Sequence, residues 1–196
     1  MPESSSALSG LTGFIAATSQ LAATFPLTRR GTRGFVLAFG EQMAYIRVQD
    51  AWHPWRFLRQ MEGAPPVRWG TGGFKHGLVD DSHPARHYAA FVFVGFWLPG
   101  WMALLLLWLW ELAGFVRYGF YWSQADTRSG YVGLWHGRLI RRHGHTILPS
   151  LIARDLAETG QGWSRLSQNG EKVVQMESKT LRFSGGASAP SAATGC

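Results

Sequence analysis

The stretch Ala89–Trp110, AAFVFVGFWLPGWMALLLLWLW, runs 22 residues without a charge. As one α-helix it spans roughly 33 Å at 1.5 Å per residue, about the hydrocarbon thickness of a bilayer. A buried helix of a soluble protein is the alternative, but such helices rarely hold more than a dozen consecutive apolar residues. The fold class that follows is a mainly α membrane protein: one transmembrane helix, short amphipathic helices, long irregular segments and a small C-terminal β-hairpin. Inside the span, Pro99 removes a backbone donor and crowds the carbonyl four residues earlier, so a kink is expected between Gly95 and Gly100. The freed carbonyl needs a partner, which makes Gly95, Pro99 and Gly100 candidate helix-packing positions. The two glycines are five apart rather than four, so the span itself lacks the GxxxG dimer motif.

Both borders of the stretch are marked. Trp97, Trp101, Trp108 and Trp110 lie within it, Tyr88 precedes it, and Tyr118, Tyr121 and Trp122 follow. Rings with a polar edge favour the headgroup region. His83, Arg86 and His87 stop the run on one side and Arg117 on the other, while the apolar pattern continues for about two turns through LAGFVRYGFYW. Glu111, the one acid near the boundary, reads as a terminal carboxylate that snorkels or pairs with Arg117. The basic run RLIRRHGH at 138–145 lies close enough to the helix end to act on topology and on lipid headgroups, an explanation preferred here to contact with nucleic acid. The candidate lipid-headgroup contacts are therefore Arg86, Arg117, Tyr118, Trp122, Arg138, Arg141 and Arg142. Nine basic residues precede the span and ten follow it, and the local excess after it favours the C-terminus on the cytoplasmic or matrix face.

Working outward, Leu8, Leu11, Phe14, Ile15, Leu21 and Phe25 fall near helical spacing, with Pro26 as a stop. They predict a short amphipathic helix for a partner's groove or a membrane surface. The first forty residues are poor in acid and rich in hydroxyls, with Arg29, Arg30 and Arg33 at their end, a composition like that of an organelle-targeting segment. Phe35, Phe39, Met43 and Ile46 predict a second helix, and Pro54 opens a third over WRFLRQ, although FVLAF and AYIRV also suit strands. The Gly- and Pro-rich stretch 63–84 reads as an irregular loop. After the span, 126–144 reads as a Gly- and Arg-rich surface crossing, and LPSLIARDLAETG as a helix with Ser150 as N-cap and Gly160 past its end. WSRLSQNGEKVVQM reads as a hairpin on an Asn169-Gly170 turn, TLRFS as a third strand, and the last dozen residues as a tail without anchors. The divisions are 1–33, 34–84, 85–122, 123–184 and 185–196.

Net charge and chemistry bound the function. Nineteen Lys and Arg against twelve Asp and Glu give +7, and sixteen of the nineteen are arginine, which suits phosphates and buried ion pairs. Cys196 is the single cysteine, so no intramolecular disulfide forms and no cysteine-based metal centre can be assembled from this chain. His53, His76, His83, His87, His136, His143 and His145 invite a metal or haem, but none lies in the apolar span and no acidic second ligand set is near them in sequence. They read as surface or interfacial histidines. No GxSxG elbow is present, and TGGFKHG lacks phosphate-loop spacing. No catalytic residue, cofactor or metal is expected.

Taken together, the single bordered span, basic composition, extended flanks and lack of a catalytic motif resemble the supernumerary single-pass subunits of mitochondrial respiratory complexes and ATP synthase. The resemblance is one of architecture over the whole chain. It implies a non-catalytic accessory subunit of a large energy-converting complex in the inner mitochondrial membrane, with other subunits and an anionic phospholipid such as cardiolipin as partners, and no nucleic acid. A bacterial transport, secretion or photosynthetic assembly is the alternative, followed by a small membrane metal-dependent enzyme.

Overall fold

Pro99 decides the fate of the apolar stretch. In the computed structural model, which describes residues 10–48, 69–79, 83–117 and 122–158, the run is two helices and not one. Helix α3 covers Pro84–Trp97 and α4 covers Gly100–Arg117, with Leu98 extended between them at φ −95° and ψ 150°. An extended residue before proline is what the ring of the proline imposes on its neighbour. The contacts show that the chain turns back rather than kinks. Phe91 and Leu107 share one apolar cluster, and His87 lies 3.5 Å from Glu111. These pairs are consistent with antiparallel α3 and α4, a helical hairpin closed at 98–99.

The expected transmembrane helix is thereby corrected: among the described residues no helix is long and apolar enough to cross a membrane. The uncharged part of α4 before Glu111 is eleven residues, or roughly 16 Å, about half a bilayer core. The α3 half is spent on the protein's own interior, where Ala85, Tyr88, Ala89, Phe91, Val92 and Phe96 are buried.

Among the described residues two further α-helices precede the hairpin and two follow it. Helix α1 covers Gly10–Ala23 and α2 covers Arg29–Ala44. Thr28 caps α2 by accepting the Gly31 N–H at 3.0 Å, and Tyr45 ends it in the left-handed region, where its N–H and that of Ile46 close on Glu41 and Gly40. Helix α5 covers Gln124–His143 and α6 covers Leu148–Leu156. Ser123 caps α5 through the Asp126 N–H, and Arg141, Arg142 and His143 fill its last turn, favourable for the helix dipole at both ends. The segment 126–144 is therefore helix, not the surface crossing expected from its glycines. Ser150 is not a cap either, since α6 begins at Leu148 with Pro149 in its first turn.

The glycines of α5 explain both its identity and its partner. Gly130, Gly133 and Gly137 all face the α3–α4 hairpin. A Cβ on Gly133 would stand 2.7 Å from the Tyr88 carbonyl oxygen, and one on Gly137 would overlap the Val92 carbonyl. Gly95 answers from α3, where a Cβ would strike the backbone of Leu134. The pairs 88 with 133 and 92 with 137 show that α3 and α5 run parallel with their backbones in contact, the close approach that small residues four apart permit. Gly100 under Arg138 and Glu111 beside Thr127 set α4 antiparallel to α5.

Around this centre, α1 and α2 pack Leu11, Phe14, Phe35, Phe39 and Met43 against Tyr88 and Ala89 of α3 and Leu148 and Ile152 of the α6 region. The rings of Phe14 and Tyr88 meet edge to face at 6.0 Å. Helix α1, expected in a partner's groove, thus fills its own protein's core. Residues 69–79 tie the ends together: Leu11 donates to Gly72, Lys75 to Leu156, and Phe74 bridges Ala157. Among the described residues there is no strand beyond that isolated bridge. The hairpin read at 163–176, the TLRFS strand, the WRFLRQ helix and the C-terminal tail lie outside the described residues. The chain divides into units Met1–Glu158 and Thr159–Cys196, and all described residues belong to the first.

Candidate functional site

Helix α4 buries one narrow stripe. Ala103, Leu107 and Glu111 recur every four residues and face α3 and α5. Leu104 and Trp110 are partly buried against the same cluster, whereas Trp101, Met102, Leu105, Leu106, Trp108, Leu109, Leu112 and Val116 are exposed, Trp101 to 70%. At about 200 Å² for each whole large side chain, they present on the order of 800 Å² of apolar surface. The largest patch on an ordinary monomer is about 300–600 Å², and larger ones mark contact surfaces.

The patch continues onto α5. The Trp108 ring lies 5.6 Å from Trp122 and 6.4 Å from Tyr131, and Phe115 lies 6.1 Å from Trp122. Tyr131, Trp135, Arg138 and Arg142 then follow at three- and four-residue intervals along the strip of α5 beside α4. The Arg138 guanidinium lies against Gly100, and Arg141 and Arg142 are exposed one turn on. Acids are absent from the arginine end of the pair. The two acids of α4 and α5, Glu111 and Asp126, stand near the far end from these arginines.

Glu111 sits beneath the patch at 7% exposure. Its Oε2 is 3.3 Å from the Thr127 hydroxyl and its Oε1 is 3.5 Å from His87 Nε2. Burial, with a smaller contribution from nearby Asp126, raises its carboxyl from an ordinary 4.5 to about 7, against the opposing Thr127 hydrogen bond. A carboxyl group that is half protonated near neutrality costs less to bury between α4 and α5 than a fixed charge would. The snorkelling carboxylate read from the sequence is corrected accordingly, because the hairpin turns position 111 inward.

Two histidines are fully buried, contrary to the surface reading. His136 Nε2 donates to Asp155 Oδ2 at 2.8 Å, which fixes the tautomer, so Nδ1 accepts from the Tyr88 hydroxyl at 2.6 Å. His145 repeats the arrangement, donating to the Ala22 carbonyl at 3.2 Å and accepting from Thr32 at 3.1 Å. Burial lowers the His136 pKa against the pull of Asp155, and burial raises the Tyr88 hydroxyl well above its usual range. Asp155 is held below the ordinary carboxylate value, first by the Arg154 guanidinium and then by His136. Tyr88 and His136 have no solvent-exposed surface, so the set joins α3, α5 and α6 rather than presenting a nucleophile. Of the rest, His87 is part-buried with its ring tilted against Phe91 at 4.9 Å, His76 pairs with Glu158 at 3.0 Å on the surface, and His143 is exposed. Among the described residues no group of three or more His, Cys, Asp or Glu is placed to hold a metal ion.

The headgroup candidates do not form one cluster. Arg138, Arg141 and Arg142 gather where α4 begins, whereas Arg86 in the first turn of α3, Arg117 at the end of α4 and Trp122 stand at the opposite end of the hairpin. Tyr118 lies outside the described residues. Gly95 does pack against a helix, Gly100 lies under Arg138, and Pro99 is exposed at the turn. Sequence reading missed Tyr88, Glu111 as a buried group, His136 and Asp155. Gly133-x-x-x-Gly137 was the available signal, since it predicts a close helix contact that buries the intervening His136. Comparisons with protein-family models, with curated proteins and with solved structures find no match, so the function has to be read from this geometry.

Proposed function

We propose that this chain is a non-catalytic accessory subunit of a membrane-associated assembly, held there by the exposed apolar face of α4. The observation that carries the reading is the single buried stripe on a helix that is apolar all round. Such a helix is ordinarily covered on every side. The polar groups that might do chemistry are instead consumed in joining helices: Tyr88, His136 and His145 are fully buried and hydrogen-bonded. An energy-converting complex of the inner mitochondrial membrane remains one candidate assembly. The docking role does not require the span on which that resemblance partly rested.

The test is native electrophoresis of mild-detergent membrane extracts, comparing the full-length chain with a Leu105→Glu/Leu109→Glu variant. Both positions are more than half exposed, so the fold should tolerate the change. The native chain is expected in a large particle and the variant outside it. A native chain that migrates alone, or a variant that stays in the particle, contradicts the reading.

A further inference from the structure

We infer that the occupant of the α4 face is the surface of an anionic bilayer, with α4 lying in the interface plane. The inference rests on the docking role proposed above and names the partner. Three features of the patch select lipid over protein. From Gly100 to Trp110 the face has no charged residue, whereas a protein interface of this size carries a polar rim and about one hydrogen bond per 100–200 Å². Indole and phenol rings border the aliphatic centre: Trp97 and Trp101 at one end, Trp108, Trp122 and Tyr131 toward the other, and Trp135 alongside. Rings with an apolar body and a polar edge settle at the depth of the headgroups.

Charge complementarity supplies the third. Arg138, Arg141 and Arg142 stand beside the start of α4 with no carboxylate on the neighbouring turns of either helix, within a chain of net charge +7. A cluster of this sign next to an exposed apolar helix face draws phosphate headgroups. Leu105, Leu106, Leu109 and Leu112 then enter the acyl boundary while the three guanidinium groups remain among the phosphates. The hairpin accounts for how a 22-residue apolar run does this without spanning: most of α3 is buried in protein, so of its two halves it is α4 that enters the acyl boundary.

The experiment is flotation of the purified full-length chain with phosphatidylcholine vesicles, with and without phosphatidylglycerol. Circular dichroism confirms that each variant is folded. The native chain is expected to float with the anionic vesicles. Arg138→Gln/Arg141→Gln/Arg142→Gln should weaken that binding by on the order of a hundredfold, at about fivefold for each arginine. Leu105→Glu/Leu109→Glu should abolish it. No flotation of a chain that still enters the large particle overturns the lipid assignment and leaves the docking role intact. A dimer in sedimentation equilibrium that the Leu105→Glu/Leu109→Glu variant splits overturns it in favour of a second copy. Loss of the native chain from the particle is the separate result that removes the docking role itself.

Discussion

Alanine at Gly137 and alanine at Gly114 should move stability in opposite directions, although both are single glycines inside helices. Taken alone, helix propensity favours each replacement by about 1 kcal/mol. At Gly114 a Cβ meets nothing within 4 Å, so that gain should appear as about 0.5–1 kcal/mol. At Gly137 a Cβ would overlap the Val92 carbonyl oxygen and stand 2.7 Å from the Phe96 nitrogen and 2.8 Å from the Gly95 carbonyl carbon. These are backbone atoms, which no rotamer change can move, so α3 and α5 must separate. A gap of about 0.5–1 Å forfeits a quarter to a half of each contact energy along the pair. Overpacking of this kind costs about 3 kcal/mol, which leaves a net loss of about 2 kcal/mol after the propensity gain. For a chain of this length that is a fall in Tm of about 4–8 °C, against a rise of about 1–4 °C for Gly114→Ala. Urea and thermal unfolding followed by far-ultraviolet circular dichroism measure both. Equal stability of Gly137→Ala and the native chain, or a similar loss in both variants, would refute the backbone contact between α3 and α5.

Other substitutions probe the buried polar groups. Tyr88→Phe leaves His136 Nδ1 without its donor and should cost about 1–2 kcal/mol by urea unfolding, whereas no loss would mean the hydrogen bond is not formed. Glu111 has a raised pKa, so between its unfolded value of 4.5 and about 7 the folded chain keeps a proton that the unfolded chain has released. Stability from this group is therefore fully present below 4.5 and falls, by up to about 3 kcal/mol, as pH rises through 7. Glu111→Gln should remove that slope, and matching pH profiles for variant and native chain would contradict the burial. His136 acts in the other direction, since its lowered pKa makes the folded state resist protonation and stability falls as pH drops below 6.5. Asp155→Asn should depress the His136 pKa further, as read from its ring resonances, and an unchanged titration would separate the two groups.

Much of the helical content was legible in the sequence. The spacing of Leu11 and Phe14 gives α1, and Phe35, Phe39 and Met43 give α2, because local periodicity reports which face a helix buries. Pro84, read as the end of a loop, and Pro149, passed over for Ser150, stand in the first turns of α3 and α6. The central error came from counting. Twenty-two uncharged residues outweighed Pro99, although that proline removes the donor a continuous helix needs at that point. Gly130, Gly133 and Gly137 misled in the opposite sense. Glycine lowers helix propensity, and what makes α5 a helix is the backbone of α3 lying against it. The partners of the buried histidines were not legible. Asp155 is 19 residues from His136, Tyr88 is 48 away, and Thr32 is 113 from His145, so only the tertiary fold brings them together. The aromatic borders and the arginines were visible in the sequence, but the hairpin is what divides them between two ends.

The most direct test of the central claim is the distance between residues 86 and 113. Spin labels on cysteines at Arg86 and Ala113, with Cys196 replaced by serine, report it by pulsed electron resonance in the full-length chain. A continuous helix through Pro99 would hold the two backbone positions about 40 Å apart at 1.5 Å per residue. The hairpin places His87 within 3.5 Å of Glu111, so the labels should fall below about 20 Å, allowing a turn of helix at each end. A short distance supports an apolar run that folds back to leave the α4 face free for docking. A distance near 40 Å would restore the single span and remove the surface on which the proposed function rests.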